Sequence, residues 1–304
     1  MTKAQEGILA PLPEQGRYVF FTLADSGAAL TSALSKLQAT ALDGRIVVGL
    51  GLQVLQKMGK QLPLMREFPH LKGPMFEVPS TPYALCLWLR SEQRGELLAM
   101  TTKLVSMLAP AFKIDHSVDT FLHARTASGR GHDLTGYEDG TENPVEEAAV
   151  AAAITAGQGE GIDGSSFWAL QQWMHDYAAF GRMSVNEQDY AVGRRCLDNE
   201  ELEDAPESAH VKRTAQESFE PEAFVVRRSM PWWSVSPQGE DSSGLMFSAF
   251  GCSFNAFEAQ LRRMLGMDDG VSDGLFGFSK PLTGSYFWCP PVKESRLDLS
   301  VLGL

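Results

Sequence analysis

The stretch YALCLWLRSEQRGELLAMTTKLVSML, residues 83–108, combines the two patterns that decide the fold. It opens with a continuous apolar run, Tyr83 to Leu89, which predicts a buried β-strand. Ser91 is a candidate N-cap for the segment that follows. The apolar residues of that segment recur with the period of an amphipathic helix, at Leu97, Met100, Leu104 and Leu108. The stretch therefore predicts a strand followed by a helix with one buried face.

The same strand-then-helix pattern recurs along the chain. In the first half, YVFFTL (18–23) precedes AALTSALSKL with Asp25 and Ser26 as candidate caps, and RIVVGLG (45–51) predicts another short strand. In the second half, SFWALQQWMHDY (166–177) and LMFSAFG (245–251) predict strands. The helix after the first of these has a Ser184/Glu187 capping box and Gly193 as its stop. The helix after the second, with Ser253 as its cap, buries Phe257, Leu261, Met264 and Leu265.

Two strand–helix units in each half predict an α+β protein built from two tandem ferredoxin-like halves. Each half would be an antiparallel sheet with peripheral helices. A doubly wound parallel sheet is the alternative, but no glycine-rich phosphate loop follows a predicted strand. We place an N-terminal domain at residues 1–142, a linker rich in alanine, glycine and acidic residues at 143–164, and a C-terminal domain at 165–304.

Composition narrows the class of protein. The 304 residues are 44% hydrophobic and 21% charged, as in globular proteins, and the formal net charge is -12. An acidic chain without a long apolar run predicts neither a nucleic-acid partner nor a membrane partner. The N-terminus has no apolar secretion signal, and the four cysteines form no closely spaced pair. We therefore expect a cytoplasmic protein with reduced, mostly buried thiols.

The loop GYEDGTENP, residues 136–144, concentrates carboxylates near the boundary between the two predicted domains. Glycine and proline exclude a regular helix or strand here. A solvated acidic turn is one interpretation. Because ligand sites form preferentially between domains, a functional loop is the other.

Several segments together resemble the dye-decolourising peroxidases, in particular their compact bacterial B-type members. The segments are GYEDG (136–140), HVKR (210–213), VVRRSMPW (225–232), GLMFSAFG (244–251) and TGSYFWCP (283–290). The likeness extends from about Tyr18 to Pro290, nearly the whole chain. It implies two ferredoxin-like halves and haem b, one iron protoporphyrin IX per chain, held mainly by the C-terminal half.

The resemblance also implies roles for individual residues. His210 would be the proximal ligand of the haem iron. Asp139 would be the distal carboxylate that moves a proton between the peroxide oxygens, and Arg227 would stabilise the developing anion. Ser229, where relatives carry asparagine, would lie on the same face as Arg227. The neighbouring Arg228 would serve a propionate, a salt bridge or solvent.

Further haem contacts follow from the same resemblance. Asp273 would accept a hydrogen bond from the proximal histidine, with Glu217 or Glu220 as alternatives. Arg194 would meet a propionate or, alternatively, complement the C-terminus of the preceding helix. Leu245 and Phe247 would pack against the porphyrin.

The implied activity is that of a haem peroxidase, which reduces hydrogen peroxide through a ferryl intermediate and oxidises aromatic donors such as dyes and phenols. A haem-handling protein with incidental peroxidase activity is the alternative, and a haem-free scaffold is a third. The resemblance also implies a homodimer or higher homo-oligomer. The tail VKESRLDLSVLGL (292–304) is short and does not support encapsulation.

Overall fold

The computed structural model describes residues 3–127 and 129–304. The strands are β1 (Gln15–Leu23), β2 (Ile46–Leu50), β3 (Leu71–Lys72), β4 (Glu77–Val78), β5 (Leu85–Ser91), β6 (Phe112–Phe121), β7 (Ser166–His175), β8 (Val226–Arg227), β9 (Met230–Val235), β10 (Asp241–Gly251), β11 (Ser279–Pro281), β12 (Ser285–Cys289), β13 (Val292–Lys293) and β14 (Arg296–Leu297). The α-helices are α1 (Glu6–Leu9), α2 (Ala28–Ala39), α3 (Leu52–Lys57), α4 (Arg94–Leu108), α5 (Glu146–Ala153), α6 (Tyr177–Arg182), α7 (Val185–Val192), α8 (His210–Arg213) and α9 (Asn255–Met264). Short 3-10 helices lie at Gln216–Ser218, Gly274–Gly277 and Ser300–Leu302.

Each half of the chain forms an antiparallel sheet with the same strand order. In the first half the order is β6-β1-β5-β2, and in the second, read in the same direction, it is β12-β7-β10-β9. The first and third strands of each half are central, and a helix precedes the second and the fourth strand. This is the ferredoxin-like arrangement, so the predicted fold class is confirmed.

The two sheets also join at both edges. Thr120 on β6 pairs with Trp232 on β9, and Leu50 on β2 pairs with Trp288 on β12. Since β7 pairs with both β10 and β12, the ladder returns to its starting strand and encloses a barrel. Closure removes the open edges at which sheets associate with other chains.

Aromatic side chains fill the barrel because alternate residues of each strand point inward. Tyr18 stacks on Trp88 with ring centroids 5.7 Å apart, and Trp168 stacks on Phe250 at 5.4 Å. The Trp168 indole N–H donates to Ser248 Oγ at 2.7 Å. The interior of the barrel is thus a packed core.

The outward faces of the two sheets carry the helices. On the first sheet, α2 buries Leu30, Leu34 and Leu37, and α4 buries Leu97, Leu104 and Leu108. On the second sheet, α9 buries Phe257, Leu261 and Met264. The apolar stripes predicted from the sequence are therefore the buried faces of α4 and α9.

One of the predicted helix caps is present, and the others are not. The Ser184/Glu187 capping box is present, and Gly193 ends α7 in the left-handed conformation. The other caps were misplaced: α2, α4 and α9 begin after Gly27, Gln93 and Phe254. Serine side chains lie near two of these starts but bond neighbouring backbone N–H groups without occupying the N-cap.

The segment predicted as a linker contains α5, and Ala149, Ala152 and Ala153 of that helix are buried against the barrel core. Small side chains allow the helix to approach the barrel closely. The prediction of mostly buried thiols holds for Cys86 and Cys289 and is wrong for the exposed Cys196 and Cys252. In the part of the chain that the structure describes, no helix has the length and apolar character needed to cross a membrane.

Candidate functional site

A small cavity of about 80 Å³ lies between the outer face of the second sheet and the helices that cover it. One wall consists of alternate residues of β7 and β10, namely Gln171, Trp173, His175, Leu245 and Phe247. The opposite wall comes from α8, α9 and the following 3-10 helix, with His210, Thr214, Phe257, Gln260, Leu261, Met264 and Leu275. Most of the surface that these residues expose to the cavity is apolar.

His210 begins α8 and reaches the cavity wall with its side chain 21% exposed. Its Nδ1–H donates to Asp273 Oδ2 at 2.7 Å, and the Asp273 side chain is completely buried. The other oxygen, Asp273 Oδ1, accepts from the Leu275 N–H at 2.9 Å and so caps the 3-10 helix. Among residues 3–127 and 129–304 we find no hydrogen bond to His210 Nε2. The ring is therefore oriented by a buried carboxylate, and its second nitrogen is available to a ligand.

Asp139 and Arg227 line this cavity and also a larger, more open one. Asp139 ends a short hairpin in which its N–H donates to Gly131 O at 3.0 Å. Arg227 ends β8, and Asn143 holds its backbone by accepting from the N–H at 2.7 Å and donating to the C=O at 3.0 Å. Arg227 Nε is buried without a hydrogen-bond partner in the described residues. A carboxylate and a guanidinium thus stand where the enclosed cavity meets the open one.

Backbone conformation explains the glycines of the 136–144 loop. Gly136 has φ of +97° and Gly140 has φ of +82°, values that L side chains rarely adopt. An added Cβ at Gly140 would also lie 2.9 Å from Asn143 Nδ2. Because Asn143 holds Arg227, the loop that carries Asp139 is fitted to the strand that carries Arg227.

The other carboxylates of this loop bond to arginines. Glu138 pairs with Arg130, and Glu142 Oε1 lies 2.6 Å from Arg194 Nη2. Arg194 also contacts Glu201 Oε2 at 2.7 Å and is not among the residues that line the cavity. Its contact with a propionate stays a prediction.

The remaining predicted site residues lie in different environments. Leu245 and Phe247 line the enclosed cavity, whereas Ser229 is buried beside the open one. Arg228 lines the open cavity, forms no salt bridge within the described residues, and its predicted contact with a propionate stays a prediction. Its guanidinium donates to the backbone carbonyls of Leu9 and Ala10, and burial lowers its pKa to about 10.

Sequence reasoning missed several residues of the cavity, of which His175 is chemically the most important. Its imidazole lies between Ser279 Oγ, at 2.7 Å from Nδ1, and Asp133 Oδ1, at 3.2 Å from Nε2. The signal was present, since Gln171, Trp173 and His175 alternate along a strand that was predicted.

Comparisons with known proteins identify relatives of this chain. The family model described as "Dyp-type peroxidase, C-terminal" matches residues 130–294. A dye-decolorizing peroxidase of Mycobacterium tuberculosis is 29% identical over 301 residues, which cover 94% of this chain and 88% of the relative.

Solved structures are also similar over nearly the whole chain. A dye-decolorizing protein from V. cholerae has a TM-score of 0.81 at 26% identity and covers 99% of both chains. A variant of DypB from Rhodococcus jostii RHA1 in complex with haem has a TM-score of 0.80 at 26% identity, covering 93% of this chain and 94% of that one. The family model spans more than half of the sequence and includes every predicted site residue, so this chain belongs to the Dyp-type peroxidase family.

Proposed function

We propose that His210, Asp273, Asp139 and Arg227 are the working residues of a haem peroxidase, with haem in the cavity beside His210. The chemistry of the residues that line the cavity supports this cofactor. The exposed surface of the cavity is mostly apolar, as a porphyrin requires. Arg227 and Gln171 both line the cavity, and each has a buried side-chain nitrogen, Nε and Nε2 respectively, without a hydrogen-bond partner in the described residues. Such orphaned donors are costly unless a bound group satisfies them.

His210 is the proposed proximal ligand. In the described residues there is no group of three or more His, Cys, Asp or Glu side chains that could hold a metal ion. A single histidine is, however, the usual protein ligand of haem iron in peroxidases. The hydrogen bond from Nδ1 to Asp273 makes the imidazole a stronger electron donor and fixes its orientation.

Asp139 and Arg227 are the proposed catalytic residues. Haem, when bound here, would supply the two electrons that reduce the peroxide O–O bond. The Asp139 carboxylate would take a proton from one peroxide oxygen and deliver it to the other, which would leave as water. Arg227 stabilises the negative charge that develops as the bond lengthens. Their shared position between the enclosed and the open cavity is the observation that carries this assignment.

Aromatic reductants are the proposed electron donors, and the walls of the site suggest where a large donor gives up its electron. Trp173 lines the cavity, and its carbonyl accepts from the Trp232 indole N–H at 2.9 Å. The next residue, Trp233, is 59% exposed. A bonded sequence of groups therefore connects the cavity wall to a surface indole, where a dye or phenol too large for the cavity would be oxidised.

The cell compartment and the assembly stay predictions. We infer a cytoplasmic protein from the unpaired thiols of Cys86, Cys196, Cys252 and Cys289, because reducing compartments keep cysteines in this form. A homodimer or higher homo-oligomer is expected, and light scattering of the purified protein measures it.

Stopped-flow mixing of haem-loaded protein with stoichiometric hydrogen peroxide tests the catalytic assignment. We expect Asp139→Ala to slow the haem spectral change by about 10²–10⁴-fold. Arg227→Ala should slow it by about 10²–10³-fold. The exposed Glu203→Ala and Arg182→Ala are matched controls and should react at the wild-type rate. Equal rates in all five proteins would remove Asp139 and Arg227 from the reaction.

A further inference from the structure

The hairpin that ends at Asp139 turns at residues 133–137, and this tip lies close to the cavity wall. The Asp133 N–H donates to Tyr137 O at 2.8 Å, and the Gly136 N–H donates to Asp133 O at 2.9 Å. The Asp133 carboxylate accepts from Thr135 Oγ1 at 2.6 Å and from the Thr135 N–H at 3.1 Å. The position of Asp139 therefore depends on what holds the tip, residues 133–137.

One anchor of the tip is His175 on β7. Its Nε2–H donates to Asp133 Oδ1 at 3.2 Å, and only 7% of its side chain is exposed. Its Nδ1 bonds Ser279 Oγ at 2.7 Å, and both residues line the cavity beside His210. One imidazole thus forms part of the cavity wall and holds the hairpin.

A second anchor lies on the other side of the tip. The Tyr137 hydroxyl donates to Asp189 Oδ1 on α7, and the same oxygen accepts from the Cys196 N–H at 3.1 Å. Burial and the neighbouring Asp189 raise the pKa of Tyr137, so the hydroxyl stays a donor. The tip is held at two points, but only the His175 anchor touches the cavity.

We propose that His175 is a positioning residue for the peroxide reaction, which keeps Asp139 in place by holding Asp133 at the tip of the hairpin. This proposal rests on the catalytic role proposed for Asp139. Asp133 is only 15% exposed, and a buried carboxylate that loses its partner must move to reach water. Without His175 the hairpin would shift to solvate Asp133 and would carry Asp139 with it.

The direction of the pKa of Asp133 agrees with this dependence. Burial alone would raise the pKa, but the hydrogen bond and charge of His175, together with the Thr135 contacts, hold it below its usual value. His175 thus favours the ionised carboxylate at the tip.

A set of four variants tests the proposal: His175→Leu, His175→Gln, Asp133→Asn, and the double variant His175→Leu/Asp133→Asn. His175→Leu removes the donor and leaves a buried charge, whereas the glutamine amide can donate from nearly the position of Nε2. Asp133→Asn removes the charge that would pull the hairpin toward solvent. The double variant should therefore behave more like the wild type than His175→Leu does.

The first readout is amide hydrogen exchange of the peptide covering residues 131–139, with and without haem. We expect His175→Leu to speed exchange at the hydrogen-bonded Asp133 and Asp139 amides by at least about tenfold. Amides of β10 should be unaffected. His70→Leu is the control, since the His70 side chain is 59% exposed.

The second readout is the rate of the peroxide-driven spectral change in the haem-loaded protein. We expect His175→Leu to slow it by up to about 100-fold, the usual effect of a displacement near 1 Å at a catalytic group. His175→Gln and the double variant should recover most of the rate. A double variant as slow as His175→Leu, or unchanged exchange in residues 131–139, would overturn the proposal.

The outcomes separate this proposal from the catalytic assignment. If Asp139→Ala reacts at the wild-type rate while His175→Leu speeds exchange in residues 131–139, the role of Asp139 fails and the anchoring role stands. If His175→Leu does not fold, hydrogen exchange of residues 131–139 in His175→Gln and in Asp133→Asn tests the anchoring role instead. Faster hairpin exchange in both, despite the retained hydrogen-bond donor and the removed charge, would contradict the anchoring role.

Discussion

Replacing Asp273 with asparagine should weaken haem binding without unfolding the protein. The carboxylate is completely buried and has two partners, His210 Nδ1 and the Leu275 N–H. Asparagine can still accept from Leu275 through its Oδ1 atom. Its amide nitrogen then occupies the place of Oδ2, where it would face the Nδ1–H as a second donor. The bond to His210 is therefore lost while the cap of the 3-10 helix remains.

The expected loss of haem affinity can be estimated from these contacts. A hydrogen bond to a charged group contributes about 1.5–3 kcal/mol. Removing the partner of a metal-ligating histidine usually lowers metal affinity by about 10–100-fold, equivalent to about 1.4–2.8 kcal/mol. The two ranges agree, so we expect Asp273→Asn to lower haem affinity by about 10–100-fold. Asp273→Ala should also destabilise the fold by about 0.5–2 kcal/mol because the cap is lost.

Haem transfer to an excess of a competing haem-binding protein measures this affinity. The control is Asp268→Asn, because the Asp268 side chain is 49% exposed and pairs with Arg262 at the surface. We expect wild-type retention of haem in the control and faster transfer from Asp273→Asn. Equal transfer from both variants, with the visible spectrum unchanged, would show that Asp273 does not act through His210.

Three further predictions follow from other parts of the molecule. Trp233→Phe should slow oxidation of a bulky dye in steady-state assays and leave the stopped-flow peroxide step unchanged; equal loss in both steps would contradict a surface donor site. Burial raises the pKa of Asp133, but the contacts with His175 and Thr135 outweigh it, so the pKa in the folded protein lies below its usual value. The ionised carboxylate therefore stabilises the fold above the unfolded pKa of about 3.9, and this contribution is lost as the pH falls through the lower folded pKa. Thermal unfolding of Asp133→Asn should therefore decline less steeply than wild type below about pH 4. Gly49→Ala should destabilise the fold by about 1–3 kcal/mol in chemical denaturation, since the new Cβ would lie 2.7 Å from Phe287 Cβ inside the barrel; wild-type stability would show that the barrel can expand.

Local patterns predicted the elements and the pairing rule within each half. Periodicity identified α4 and α9, and apolar runs identified β5, β7 and β10, because these signals depend only on nearby residues. The strand pairs that join the two sheets could not be predicted in this way. Closure rests on the pairs Thr120 with Trp232 and Leu50 with Trp288, which join residues more than 100 positions apart. No local pattern marks a strand that pairs across such a distance.

Predictions for the site depended on a different kind of information. The resemblance selected His210 and Asp139, which periodicity could not distinguish from other histidines and turn carboxylates. It did not reveal the pairing of His175 with Asp133, because those residues lie on separate elements and meet only after folding. The partners of the arginines were also not predictable from the sequence. Arg194 and Arg228 carry the same charge as Arg227, but each found other acceptors in the folded chain.

The two halves have the same strand order, so a difference between them must explain why the cavity lies on only one of the sheets. In the first half, the connection between β1 and β2 contains a single regular helix, α2, whose leucines pack against the sheet beside α4. In the second half, the connection between β7 and β9 is far longer and contains short helices, α6, α7 and α8. Only α9 buries an apolar stripe there in the manner of α4.

On the first sheet, α2 fills the space beside α4. The corresponding space on the second sheet is bordered by the first residue of the short helix α8. That residue is His210, while the strands below present alternate residues. Lengthening one connection converts a packed face into a cavity and brings a histidine to it. The hairpin that supplies Asp139 comes from the segment between the two sheets, so it can approach the cavity without interrupting either one. The strands common to both ferredoxin-like halves therefore form a rigid wall of the cavity, and the segments in which the second half differs from the first supply the reactive side chains.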